Sequence, residues 1–277
     1  MPELPEVEVL RRSLEPHLVG DTIERTEVRD PRLRVPVEPR ELAKRMRGRS
    51  ILSLRRRSKY LLIDVEGAKG GSTLVVHLGM SGRLTLVAAA EPEEPHEHVA
   101  FYLRSGRRLR LRDPRRFGMV LALPTAGLAL NRHFSGLGVE PLGPEFDGAL
   151  LAAAAVGRRG PVKSFLMDAS VVVGVGNIYA TEALFRAGIH PTRSVARLSP
   201  ARWDRLATVI VEVLSQAIAQ GGTTLNDFAD GQGQGGYFQV ALAAYGRTGE
   251  PCRFCGGPIR RIVQSGRSTF YCPRCQR

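Results

Sequence analysis

Apolar positions change their period about halfway along the chain. Residues 5–15 place Val7, Leu10 and Leu14 on one face, a helical pattern that Pro16 is expected to stop. Then come short stretches rich in β-formers: "SILSL" from 50, "KYLLIDV" from 59, "STLVVHL" from 72, "RLTLV" from 83, "HVAFYLRS" from 98, "RRLRLR" from 107 and "MVLALP" from 119. Gly, Pro and charged turns separate them, a spacing that predicts a β-sandwich or barrel. "AAAEPEEPHEHV", from 88, reads as a polar loop; His96 and His98 within it are expected to be exposed rather than to bind metal.

From about 134 the period becomes helical. "EFDGALLAAAAV" and "PVKSFLMDAS" read as helices. "NIYATEALFRAGI" follows a Gly-rich turn and ends at Gly188, with Pro191 beyond. In "SPARWDRLATVIVEVLSQAIAQGG", Ser199 stands at the N-cap, Pro200 in the first turn and Gly221 at the end. "ADGQGQGGY", residues 229–237, cannot hold a regular element and reads as a loop. The expected class is α+β. A sandwich domain over 1–133 precedes a helical domain over 134–237 and a small C-terminal module over 238–277.

That module contains the four cysteines of the 277-residue chain. Cys252 and Cys255 form one C-x2-C; after sixteen intervening residues Cys272 and Cys275 form another. Each turn aims two sulfurs at one point, and two turns complete a tetrahedron, the arrangement of a four-thiolate zinc site. Four thiolates leave no position open for substrate, so the one zinc expected per chain is structural.

Charge narrows the partner. Forty Lys and Arg against 27 Asp and Glu give a formal charge of +13. Such an excess favours a polyanion, and nucleic acid leads because no apolar run approaches the roughly 18 residues that span a bilayer. No basic-then-apolar leader opens the chain, so a cytoplasmic protein is expected.

Several short motifs can carry chemistry on such a partner. "VVVGVGNIYA" has a Gly-x-Gly turn feeding a helix, with Asn177 where an N-cap would sit. It suits a phosphate, or simply starts a helix. "DPRRFG", residues 113–118, is a turn presenting Arg115, Arg116 and Phe117. Phe117 either inserts into a base stack or folds back on its own core. "HLGMSG" sets Met80 in a second turn, an apolar side chain with little to bury against. "RRRSKY" puts Lys59 after three arginines, either a solvated face or a phosphate contact, and "SGRSTFYC" puts Arg267 at the tip of the cysteine hairpin.

"MPELPEVEVL" opens the chain. Removal of Met1 would leave Pro2 with a free secondary amine. An α-amino group titrates near ~8, against ~10.4 for lysine, so more of it is neutral and nucleophilic at physiological pH. Attack on a carbonyl carbon gives a cationic iminium, a sink for elimination. Glu3 and Glu6, three apart, can move protons beside it, although carboxylates also stabilise the ammonium. The plain alternative is a proline in a first turn among favourable acids.

Together "PELPEVE", "KYLL", "HLGMSG", "DPRRFG", "VVGVGNIYA" and the four-cysteine finger with "GRSTFYC" resemble bacterial formamidopyrimidine-DNA glycosylase, in order from residue 2 to 275. The resemblance implies a β-sandwich flanked by helices, a helix–two-turn–helix domain and a zinc finger. It implies excision of oxidised purines from damaged double-stranded DNA by a monomer, then β,δ-elimination. Pro2 would be the nucleophile and Glu3 the acid/base, with Glu6 in support. Lys59 and Arg267 would complete the catalytic set, gripping phosphates with Asn177. Met80, His98, Arg115, Arg116, Phe117, Lys163 and Asn177 are the expected DNA-contacting residues, and residues 223–238 the loop over the damaged base. Two rivals remain: an endonuclease VIII-like enzyme for oxidised pyrimidines, and a non-enzymatic zinc-ribbon DNA-binding protein.

Overall fold

The computed structural model describes residues 2–67, 70–222 and 242–277. The chain divides into two compact units, one reaching to Ser135, the other running from Gly136 to Ala219 and joined by the C-terminal residues.

In the first unit, helix α1 (Leu4–Leu18) is followed by β1 (Thr22–Val28), α2 (Pro39–Met46), β2 (Arg49–Arg57), β3 (Tyr60–Val65), β4 (Ser72–His77), β5 (Arg83–Ala88), β6 (Glu97–Leu103), β7 (Arg107–Arg112) and β8 (Met119–Pro124). All pairings are antiparallel, in the order β5-β7-β6-β1-β2-β3-β4-β8. β1 and β2 pair only through Thr22↔Ser50 and Ile23↔Arg49. The sheet therefore behaves as two leaves, β5-β7-β6-β1 and β2-β3-β4-β8. One apolar core fills the space between them, with Phe101, Leu109 and Leu111 from one leaf and Leu61, Ile63, Leu74 and Val76 from the other. Alternation along each strand puts every second residue there. Leu10, Leu14 and Leu18 of α1 and Leu42 and Met46 of α2 join the same core.

The strand stretches read from the sequence are all present. Three expectations need correction, and two elements were not anticipated. Pro16 does not stop α1, which runs on to Leu18. A proline one turn from a helix end removes a single backbone bond, which the packing of Leu14 and Leu18 offsets. β1 and α2 were not anticipated. The polar loop is shorter than its composition suggests, because Glu97, His98 and Val99 open β6. His98 is consequently 3% exposed, not on an exposed loop.

The second unit holds α3 (Gly148–Ala155), α4 (Val162–Leu166), α5 (Asn177–Ala187), α6 (Pro200–Ala219) and a hairpin of β9 (Arg260–Gln264) and β10 (Arg267–Tyr271). Asp147 caps α3, its carboxylate accepting the Leu150 N–H at 2.7 Å. α4 covers only five residues of the longer helix expected there. α5 ends at Gly188, whose φ of 69° closes the last turn. Phe185 of α5 packs with Ala243, Ala244, Cys252, Ile259 and Phe270, so the cysteine module shares a core with that helix. Among the described residues no helix is long and apolar enough to cross a membrane.

Candidate active site and DNA-facing turns

Pro2, Glu3 and Glu6 are buried at the start of α1. Glu3 is the N-cap residue and Glu6 the third helical residue, the spacing of a capping box. The Glu3 N–H donates to Glu6 Oε2 at 2.8 Å. That bond fixes the backbone next to Pro2, and both carboxylates are sheltered from bulk water. Leu4, Val7 and Leu10 anchor the helix below. Met1 lies outside the described residues.

Lys59 occupies the two-residue turn between β2 and β3. Ser58 takes the left-handed φ of 56° that such a turn needs, and Arg57 pairs with Tyr60 across it. On the next strand, Tyr60 pairs with His77, and their rings lie 5.0 Å apart. His77 is a residue the sequence reading passed over. Its Nδ1 accepts the Gly79 N–H at 2.9 Å, so the ring proton sits on Nε2. Burial, with Arg34 and Lys59 nearby, lowers its pKa from 6.5 to about 4. His77 is therefore a neutral donor at physiological pH. Its only sequence signal is its place where a strand meets the Leu-Gly-Met turn.

Met80 and Phe117 lie on two abutting turns. Residues 78–82 link β4 to β5 and residues 113–118 link β7 to β8; the flanking strands pair through His77↔Met119 and Arg83↔Arg112. Gly79, at φ 64°, touches the other turn so closely that a Cβ there would lie 2.3 Å from the Phe117 carbonyl carbon. Phe117 is 44% exposed, which decides against its folding back on the core. The Arg115 guanidinium lies 4.9 Å from the Phe117 ring centroid. Arg116 pairs with Asp30 at 2.7 Å. His98 Nε2 lies 2.9 Å from the Asp113 carbonyl. A carbonyl only accepts, so His98 donates into the turn from behind.

In the second unit, Gly176 is the N-cap of α5 and Asn177 its first residue, one position later than expected. The Asn177 amide is turned toward the hairpin, its Nδ2 donating to the Ser268 carbonyl at 3.0 Å. Lys163, 2% exposed, lies behind it. Its ammonium donates to Asn177 Oδ1 and Thr269 Oγ1, both at 2.6 Å. Lys163 thus fixes the presentation of Asn177 and the neighbour of Arg267. Arg267 is exposed and flanks a hairpin turn whose residues, Ser265 and Gly266, both have positive φ.

The four cysteine sulfurs lie within 4.8 Å of one another. Cys252–Cys275 is 3.8 Å and Cys255–Cys272 3.5 Å. Tetrahedral zinc with bonds of about 2.3 Å requires sulfurs about 3.8 Å apart, so the set fits the metal. The sulfurs are too far apart for the roughly 2.05 Å of a disulfide. The Gly257 N–H, then the neighbouring thiols, draw Cys255 down to about 7, while burial first pushes Cys272 and Cys275 up. Four thiolates converge at no such cost only around a cation. The chain carries one structural zinc site.

Comparison with known proteins agrees with this geometry. Residues 1–120 match the formamidopyrimidine-DNA glycosylase N-terminal domain, 137–229 the H2TH domain of that glycosylase, and 249–277 the zinc finger found in FPG and IleRS. The chain belongs to the formamidopyrimidine-DNA glycosylase family. It is 53% identical over its whole length to the formamidopyrimidine-DNA glycosylase of Halorhodospira halophila, all of which is covered. The crystal structure of Thermus thermophilus MutM (Fpg) superposes with a TM-score of 0.88 at 40% identity, covering 99% of this chain and 98% of that one. A Lactococcus lactis FPG mutant in complex with Fapy-dG DNA superposes at 0.92 and 33% identity, with both chains fully covered. Membership makes the protein a DNA glycosylase, and the non-enzymatic zinc-ribbon reading falls.

Proposed function

We propose that this glycosylase excises oxidised purines, 8-oxoguanine and formamidopyrimidines, from double-stranded DNA and then cleaves the strand through a Schiff base on Pro2. The observation that carries this is the buried Pro2–Glu3–Glu6 cluster. With Met1 removed, the neutral nitrogen attacks C1′ of the extruded nucleotide. The glycosidic bond breaks and the base departs with a proton. Glu3 moves protons between base, sugar and amine, and Glu6 holds the Glu3 backbone in place. Opening of the sugar leaves a cationic iminium. It draws electrons from C2′, a proton is lost there, and the 3′ phosphate is eliminated; a second elimination releases the 5′ phosphate. Lys59, His77, Asn177 and Arg267 hold phosphates through cationic or neutral donors, which positions the strand without reading sequence. Met80, Arg115 and Phe117 fill the gap left by the extruded nucleotide. The chemistry belongs in the cytoplasm of a bacterium, where its substrate lies. Residues 223–238, expected to close over the base, lie outside the described residues except by sequence.

Borohydride reduction during reaction with abasic DNA tests the mechanism. Peptide mapping should place the adduct on Pro2; an adduct solely on a lysine overturns the assignment. Glu3→Gln should lose about 100-fold or more in base excision while still binding damaged DNA. Excision at the wild-type rate would remove Glu3 from its role. A lesion panel separates purine from pyrimidine preference, and it has a reason to be run: the Lactococcus Fpg is also solved with DNA containing an oxidised pyrimidine.

A further inference from the structure

The two turns that carry Met80 and Phe117 are crossovers between the leaves of the sandwich. One leaves β4 for β5; the other leaves β7 for β8. Crossovers of five or six residues lack a ladder of their own, so something else must hold them side by side. Asp113, 0% exposed, stands at that point. Its Oδ1 accepts the Ser81 hydroxyl at 2.8 Å, across from one crossover to the other, and its Oδ2 accepts the Gly118 N–H at 2.7 Å. Ser81 Oγ in turn accepts the Arg115 N–H at 3.3 Å. The Asp113 carbonyl receives Nε2–H of buried His98 and the Arg116 N–H that closes the turn, and its own N–H donates to the His96 carbonyl. Among the described residues no cation pairs with this carboxylate. A buried carboxylate with only neutral donors gives a weak return in stability for the hydration it has lost. Its partners instead share one property: each belongs to, or holds, a turn bearing a DNA-facing side chain.

We propose that Asp113, seated by His98 and linked through Ser81, is the positioning residue of the wedge, fixing Met80 and Phe117 relative to each other before DNA arrives. His98 then acts behind the wedge and not as a direct DNA contact. The steric fit points the same way. Gly79 is pressed against Phe117, and a Cβ on Gly118 would lie 2.9 Å from Asp113 Oδ2, so little slack remains once the carboxylate bonds are made. An untethered pair of turns must be ordered during base extrusion, and that cost falls on the transition state for extrusion.

This rests on Met80 and Phe117 acting as a wedge, so the experiment separates the two ideas. Excision is measured on a lesion paired with a normal base and on the same lesion facing a one-nucleotide gap, where no orphan base must be held. Phe117→Ala tests the wedge, and should lose about tenfold or more on paired DNA and little on gapped DNA. Asp113→Ala and the milder Ser81→Ala test the positioning. Each should lower kcat/KM on paired DNA by about tenfold or more while changing it less than about threefold on gapped DNA. Asp113→Asn, whose amide can still accept from Gly118 and donate to Ser81, should recover part of the loss. Equal losses on both substrates would make Asp113 a merely structural residue and overturn the proposal. So would a selective loss for Phe117→Ala with none for Asp113→Ala and Ser81→Ala. If Phe117→Ala shows no selectivity, the wedge itself is wrong and the proposal goes with it.

Discussion

Asp113 and Lys163 do similar work in different units with opposite charge. Both are buried, at 0% and 2% exposure. Each ties together segments far apart in sequence that carry residues proposed to face DNA: Asp113 links residues 81 and 118, and Lys163 links residues 177 and 269. The groups named at both ends are hydroxyls and amides. The difference lies in what each serves. Asp113 holds the turns of Met80 and Phe117, whose proposed targets are bases with neutral faces, so an anion within those turns would do no harm. Lys163 sits under Asn177 and beside the Arg267 strand, where a phosphate is expected, and its charge adds to the attraction. On the proposed function, the sign of the internal tie follows the sign of the ligand.

Zinc removal should break the comparison most severely. Metal binding supplies folding free energy to a module this small, so a chelator should disorder β9 and β10 and take Thr269 and Ser268 away from Lys163. DNA affinity should fall by about 100-fold or more, while strand signal from the sandwich unit, with its own core, persists. Circular dichroism and DNA binding on the same chelated sample check this; unchanged affinity after complete zinc loss would contradict it.

Salt dependence then sharpens the contrast. Arg267→Ala removes a cation expected at a phosphate and should reduce the log–log salt slope by about one. Asn177→Ala should lose affinity with little change of slope. Lys163→Met should weaken binding more than either, by about tenfold or more, because it releases both Asn177 and the neighbour of Arg267. Combining it with Arg267→Ala should cost less than the two losses together. Asp113→Ala should leave the slope at its wild-type value. Fluorescence anisotropy across a salt series measures all of these.

Most of the framework was legible because half-buried strands write their pleat into the chain, and the cysteine spacing fixes its metal without reference to the fold. What escaped did so for identifiable reasons. β1 is "TIERTEV", whose irregularity between Ile23 and Arg25 leaves neighbours Glu24 and Arg25 both exposed and breaks the alternation, and α2 directs only Leu42 and Met46 into the core. His98 was read as an exposed loop residue and Lys163 only as a DNA contact; burial of a charged or polar side chain depends on partners 14 to 106 residues away, which no local pattern carries. His77 was missed because a histidine at a strand end looks like any other until its Nδ1 partner is known.

The smallest expected effect concerns that histidine. Its folded pKa, about 4, lies below the ordinary 6.5, so between these values the unfolded chain binds the proton and the folded one does not. Stability should therefore fall as pH drops from 6.5 toward 4 and change no further on this account below it. His77→Gln should flatten that part of a melting-temperature profile. NMR titration of the ring should find it neutral at pH 5.5; a charged ring there would refute the assignment.

The close fit of Gly79 against Phe117 separates a mount from the blades it carries. The mount (Gly79, Asp113, Gly118) has no room for change, since even a methyl at position 79 meets the opposite backbone. The blades are different: Met80 is partly exposed and the Phe117 ring projects outward. Their side chains can be exchanged without rebuilding what holds them. A fluorescent or photo-crosslinking amino acid at position 80 or 117 would then report the moment a base pair opens, from a probe whose attachment stays still.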